Sequence, residues 1–270
     1  VKLAVAIIHG IGSQSPTFAD DTIDEISRWL IGLDKDPTEV AWQPIYWADI
    51  LGPREKRYLD DARASNELDF IGLRKFVVEA LGDAAAYQFV GGNPSSTYLR
   101  IRDRIRARVH DLYTGPLHAT PVPLVVMGHS LGSHIISSYL WDTQHRSPTG
   151  ADPAADPFER MEWLAGLITF GSNIPLFTFA YDPVEAIDFP GSALPDGVAA
   201  KSKWLNYFDK DDVLGYPLKP TSPSYAAVVD ADIEINVGGF ATSATPLSHV
   251  GYWTDDDFTK PVARYLAEFL

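Results

Sequence analysis

The chain has 270 residues, 46% of them hydrophobic and 21% charged, which suits a globular protein with a sizeable core and excludes disorder as its main state. Its formal net charge of −14 repels phosphate backbones and anionic lipid, so nucleic acid is not an expected partner. It has no cysteine, which excludes disulfides, thiolate metal sites and a Cys nucleophile.

Leu3–Ile8 is a continuous apolar run ending in His9-Gly10, the pattern of a strand buried on both faces. No A-x-A-like cleavage site follows it, so it reads as a strand rather than a signal peptide. No apolar run approaches the ~18 residues of a membrane span. The expectation is a soluble protein with no transmembrane segment, a cytoplasmic location being favoured. Phe18–Leu33 carries Ile23, Ile26, Trp29, Leu30 and Leu33 at helical spacing, and Val40–Trp47 reads as a strand.

Residues 49–113 look mostly helical, with a break near Gly91-Gly92-Asn93-Pro94. Within them Arg100, Arg102, Arg104, Arg106 and Arg108 surround the apolar stripe Ile101, Ile105, Val109 and Leu112. That is the pattern of a solvated helix face, the alternative being a patch that meets a lipid surface. Val122–Met127 reads as a strand, Leu131–Thr143 as a helix, Ser147–Pro157 as a loop and Leu164–Phe170 as a strand. Residues 172–200 show no period. Lys203–Phe208 and Ala231–Val237 read as strands and Asp257–Leu270 as a terminal helix. The alternation predicts an α/β fold: a mostly parallel sheet of about six strands with helices on both faces. One domain spanning 1–270 is expected, with 49–118 and 172–200 as cap or lid insertions over the site.

Gly128-His129-Ser130-Leu131-Gly132 fits G-x-S-x-G and stands between an expected strand and an expected helix. The chemistry needs this setting. A serine on a sharp strand-to-helix turn lifts its Oγ clear of the sheet, and Gly128 and Gly132 remove side chains that would collide there. The N–H of Leu131 then lies at a helix N-terminus, where it can donate to an oxyanion.

With these residues in place, the chain resembles the α/β-hydrolase family, and within it the lipase and esterase branch, over nearly its whole length. His9-Gly10-Ile11-Gly12 looks like that family's H-G-x-G oxyanion loop, which implies Ile11 N–H as the second donor. The family's order of Ser, acid, His implies an acid in Asp209-Lys210-Asp211-Asp212-Val213, just past an expected strand. Three aspartates compete. Similar lipases place the acid two residues before a Val, which selects Asp211, with Asp209 and then Asp212 behind it and the two others as turn or capping residues. His249 is the one histidine of seven that follows the acid, and it stands where the family carries its base.

Neither a metal nor an organic cofactor is expected. No histidine pair has H-E-x-x-H spacing, and the three aspartates lack the glycine-punctuated loop of a calcium site. The resemblance implies hydrolysis of a small-molecule or lipid carboxylic ester through Ser130, Asp211 and His249. An amidase, peptidase or acyltransferase on the same residues, or a non-catalytic binding protein of this fold, are the alternatives. Phe177, Phe179, Tyr181, Phe189, Leu214, Tyr216 and Tyr225 are candidates for an aromatic pocket wall or for ordinary loop packing.

Overall fold

A computed structural model describes residues 1–12, 14–65, 69, 71–87, 89–90, 93–145, 156–237 and 248–270. Six strands form one sheet: β1 (Leu3–Ile8), β2 (Val40–Ile45), β5 (Leu124–His129), β6 (Leu164–Phe170), β7 (Lys203–Phe208) and β8 (Ala231–Glu234). Their order is β2-β1-β5-β6-β7-β8 and every pairing is parallel. A separate short antiparallel pair, β3 (Phe89–Val90) and β4 (Asn93–Pro94), occupies the expected break in the helical region.

The apolar runs become central strands because both faces of the sheet are covered. In β1, Leu3, Val5 and Ile7 face one core with the helices α1 (Asp20–Gly32) and α9 (Asp256–Ala267). Ala4, Ala6 and Ile8 face the other core with α4 (Ser96–Thr114) and α5 (Leu131–His145). All six residues of β1 are fully buried, and burying a side chain the size of its Leu, Val and Ile residues contributes about 1.5–3 kcal/mol each. Ser95 caps α4 by accepting the N–H of Tyr98, and Ile101, Ile105, Val109 and Leu112 form its buried stripe. Of the arginines around it, Arg100 and Arg108 are exposed and Arg102, Arg104 and Arg106 half-buried, and Arg104 pairs with Asp49 at 3.0 Å. No described helix is long and apolar enough to cross a membrane.

Two helices, α2 (Gly52–Ser65) and α3 (Ile71–Ala86), precede α4, whereas 172–200 holds only the short α6 (Ile174–Thr178) and α7 (Asp196–Ala199). A further short helix, α8 (Pro223–Val228), precedes β8. β8 ends three residues before the expected Val237. The Asp209 carboxylate takes the N–H of Val237 at 2.7 Å and draws the chain off the sheet. Most of the loop expected at 147–157, residues 147–155, lies outside the described residues.

The sheet positions the site through its switch point. From the adjacent strands β1 and β5 the chain order runs in opposite directions, and crevices for ligands form at the carboxyl ends of such strands. His9-Gly10 follows β1 and Ser130 follows β5 there. The first turn of α5 lies directly on the end of β1: a Cβ on Gly132 would stand 2.5 Å from the His9 carbonyl oxygen and 2.8 Å from that of Ile8. Both obstacles are backbone, so Gly132→Ala is expected to destabilise the fold by about 1–3 kcal/mol in denaturant unfolding. Wild-type stability would contradict this packing.

Candidate active site

Ser130 sits between β5 and α5 with φ +52°, a left-handed conformation that costs a non-glycine residue about 1–2 kcal/mol. Its surroundings hold it there. Ser130 N–H donates to the Phe170 carbonyl at the end of β6 (3.0 Å), and its own carbonyl accepts the N–H of Ser133 (2.9 Å). Ser133 Oγ donates to the Gly128 carbonyl at 2.6 Å. A Cβ on Gly128 would stand 3.0 Å from Ser133 Cα, so both elbow glycines meet the close approach expected of them.

His249 reaches Ser130 from a 3-10 turn, Ser248–Thr254, ahead of α9. Its Nδ1 lies 2.8 and 3.0 Å from the two carboxylate oxygens of Asp212. Nδ1 therefore donates, and Nε2 accepts the Ser130 hydroxyl proton at 2.6 Å. Ser130, His249 and Asp212 expose 0%, 2% and 4% of their surface. In this conformation solvent does not reach the serine oxygen.

The carboxylate at His249 is that of Asp212, not Asp211. The turn after β7 explains the difference. Asp209 Oδ1 accepts the N–H of Asp211, its Oδ2 accepts that of Val237, and its carbonyl accepts that of Asp212. Asp209 is thus consumed in closing the turn, Asp211 is left half-buried beside it, and the next residue points inward. Asp212 also accepts the N–H of Leu214 (3.0 Å) and the hydroxyl of Tyr252 (3.0 Å). Burial pushes its carboxyl up, but the bonds from His249, Leu214 and Tyr252 outweigh this and hold it below the ordinary carboxylate value. Tyr252 serves twice, because its oxygen also accepts the N–H of Asp209 at 2.9 Å. Among the described residues no three His, Asp or Glu side chains converge as a metal-ligand set.

The loop after β1 is clamped by Trp47, which sequence reasoning left at the end of a strand without a role. Trp47 N–H donates to His9 Nε2 (3.0 Å), its indole Nε1–H donates to the His9 carbonyl (2.9 Å), and the two rings stack at 4.9 Å. Since Nε2 accepts, Nδ1 carries the proton and donates to the Gly10 carbonyl at 2.8 Å. Burial holds the imidazole down at about 4, against the opposing pull of the Gly10 bond and the Asp49 charge. In a trans peptide the carbonyl and the following N–H point apart. Fixing the Gly10 oxygen toward His9 therefore aims Ile11 N–H the other way. A Cβ on Gly10 would stand 2.5 Å from Ser130 Cβ and 3.1 Å from its Oγ, so Gly10 lies against the serine. Leu131, fully buried, opens α5 on the other side.

His129 is also structural in its bonding: Nε2–H donates to the His249 carbonyl at 2.8 Å, and burial pushes its ring down to about 3. A cavity of about 590 Å³ runs along α5 from His134, one turn beyond Ser130, to Trp141 and Asp142. Phe177, Tyr181 and Tyr225 line it as candidate wall residues. Phe179 is instead 82% exposed, and Phe189 packs near Trp204 in the core.

Trp47→Phe keeps the ring stack and removes the indole donor, leaving the buried His9 carbonyl without it. A loss of about 1–3 kcal/mol is expected from a thermal melt. An unchanged melting temperature would show that the clamp does not support the loop.

No protein-family model matches this chain, and no curated protein matches it. Among solved structures the chain is similar to TT1662 from Thermus thermophilus, with 12% identity and a TM-score of 0.43 over 99% of this chain and 89% of that one.

Proposed function

We propose that this chain is a serine hydrolase of the α/β-hydrolase fold that cleaves carboxylic esters. The observation that carries the reading is the hydrogen-bonded series Asp212, His249, Ser130, with 2.8 Å from Asp212 to Nδ1 and 2.6 Å from Nε2 to Oγ. A nucleophile, its base and a third group orienting the base are the parts that acyl transfer needs, and they are in the family's chain order.

In the proposed reaction His249 Nε2 takes the hydroxyl proton as Ser130 Oγ attacks the ester carbonyl carbon. The carbonyl oxygen gains the negative charge, and Ile11 and Leu131 N–H groups donate to it. Such a donor is worth roughly 10²–10³ in rate because it is oriented before the charge develops. The intermediate collapses, the C–O bond to the alcohol breaks, and His249 gives its proton to the leaving oxygen. Water then attacks the acyl carbon, passing a proton to His249; the carbon–Oγ bond breaks, His249 returns the proton to Ser130 Oγ, and the acid leaves. Asp212 keeps the Nδ1–H tautomer and stabilises the imidazolium. The aromatic cavity along α5 supports an apolar limb on the substrate.

The test is hydrolysis of a chromogenic ester series of increasing acyl length. Ser130→Ala is expected to abolish turnover. Asp212→Asn is expected to lower kcat by about 10³–10⁴, whereas Asp211→Asn stays within about twofold of wild type because its side chain is not against His249. Equal turnover by Ser130→Ala and wild type, or a greater loss at Asp211 than at Asp212, would overturn the assignment.

A further inference from the structure

The loop at residues 9–12 is tied at two successive peptides. His9 Nδ1–H holds the Gly10 carbonyl, as described. The next peptide is held from a different element: Gly12 N–H donates to Asp83 Oδ2 of α3 at 3.1 Å. Gly12 has φ +91°, and a Cβ there would meet Glu79 Oε2 at 3.3 Å. Between the two tied groups lies Ile11 N–H. Asp83 is buried, the Glu55 carboxyl of α2 stands beside it, and Glu55 Oε1 is buried without a hydrogen-bond partner of its own. Glu55 lies close over α3, its Oε1 only 2.8 Å from where a Cβ on Gly82 would stand.

We propose that Asp83 is a positioning residue for the loop, aligning Ile11 N–H by pinning Gly12, and that the protonated Glu55 carboxyl holds Asp83 in place. This rests on the reading of Ile11 as an oxyanion donor. The bond between two carboxyl groups requires one proton, and Glu55 carries it. Burial, then the Asp83 and Glu79 charges, push Glu55 up to about 8. Asp83 is raised to about 6 by burial and by Glu79, against the bonds from Gly12 N–H and Glu55. Among the described residues Glu79 faces the pair, and Lys75 stands 3.6 Å from Glu79. Near neutrality Glu55–OH donates to the Asp83 carboxylate. Above about 8 the donor is lost and a second negative charge stands against Asp83, so the pair separates and Gly12 is released. The sign agrees with linkage. Glu55 is raised from its ordinary 4.5, so its contribution to the fold is full below that value and is lost as pH rises through about 8.

The test is the pH profile of ester kcat alongside the ¹⁵N shift of the Gly12 amide in the full chain. Wild type is expected to lose about tenfold in kcat on the alkaline side, with little change in KM, as a misaligned oxyanion donor requires. The Gly12 amide is expected to titrate with a midpoint of about 8. Glu55→Gln keeps a donor for Asp83 and cannot ionise, so both the alkaline loss and the Gly12 step near 8 should vanish, leaving only the step of Asp83 itself near 6. Identical alkaline limbs in wild type and Glu55→Gln, or a Gly12 amide that does not titrate in wild type, would overturn the proposal. The amide readout needs no turnover. If ester hydrolysis itself is absent, that failure belongs to the proposed function, and the Gly12 titration still decides the brace.

Discussion

Everything at the candidate site depends on one unfavourable backbone conformation, the left-handed turn at Ser130. It persists because the surroundings over-determine it. The Phe170 carbonyl fixes the serine N–H, Ser133 ties the turn to the Gly128 carbonyl, and the absence of side chains at Gly10 and Gly132 lets β1 and α5 close on it. The same closeness brings Gly10 against Ser130. A turn and a loop from two neighbouring parallel strands thus share one constraint, and relaxing either would displace both.

The second constraint is electrostatic. Asp212 and His249 are almost fully buried, where an unpaired charge is costly and a paired one interacts strongly. The carboxylate has three donors, from His249, Leu214 and Tyr252, and Tyr252 also links it to Asp209 in the turn that presents it. The orientation of His249 is fixed from the opposite side by His129, whose Nε2–H holds the His249 carbonyl. The site is therefore ordered before any substrate arrives, which is the condition under which fixed dipoles stabilise developing charge at no cost in reorganisation.

The sheet was legible in the sequence because its strands are buried on both faces. Leu3–Ile8, Leu164–Phe170 and Lys203–Phe208 appear with the expected bounds. The meeting of Ser130 with His249 was legible because the elbow pattern is local and because one histidine follows the acid segment. The choice among three aspartates was not legible. It depends on which carboxylate the turn spends on the N–H of Val237, more than twenty residues away, and a D-x-V spacing carries no record of that bond. Trp47, Tyr252 and Asp83 escaped for the same reason. Each acts through a contact distant in sequence, and a tryptophan at the end of the strand beside β1 was the one available signal.

Central to this account is the proposal that His249, in a buried array, makes Ser130 nucleophilic. A fluorophosphonate probe followed by peptide mass spectrometry tests it most directly, because the probe requires the activated serine and an oxyanion site but no particular substrate. The account predicts a single phosphonylated residue, Ser130, and loss of that labelling in His249→Ala. An unlabelled chain, or labelling of Ser130 undiminished by His249→Ala, would contradict it.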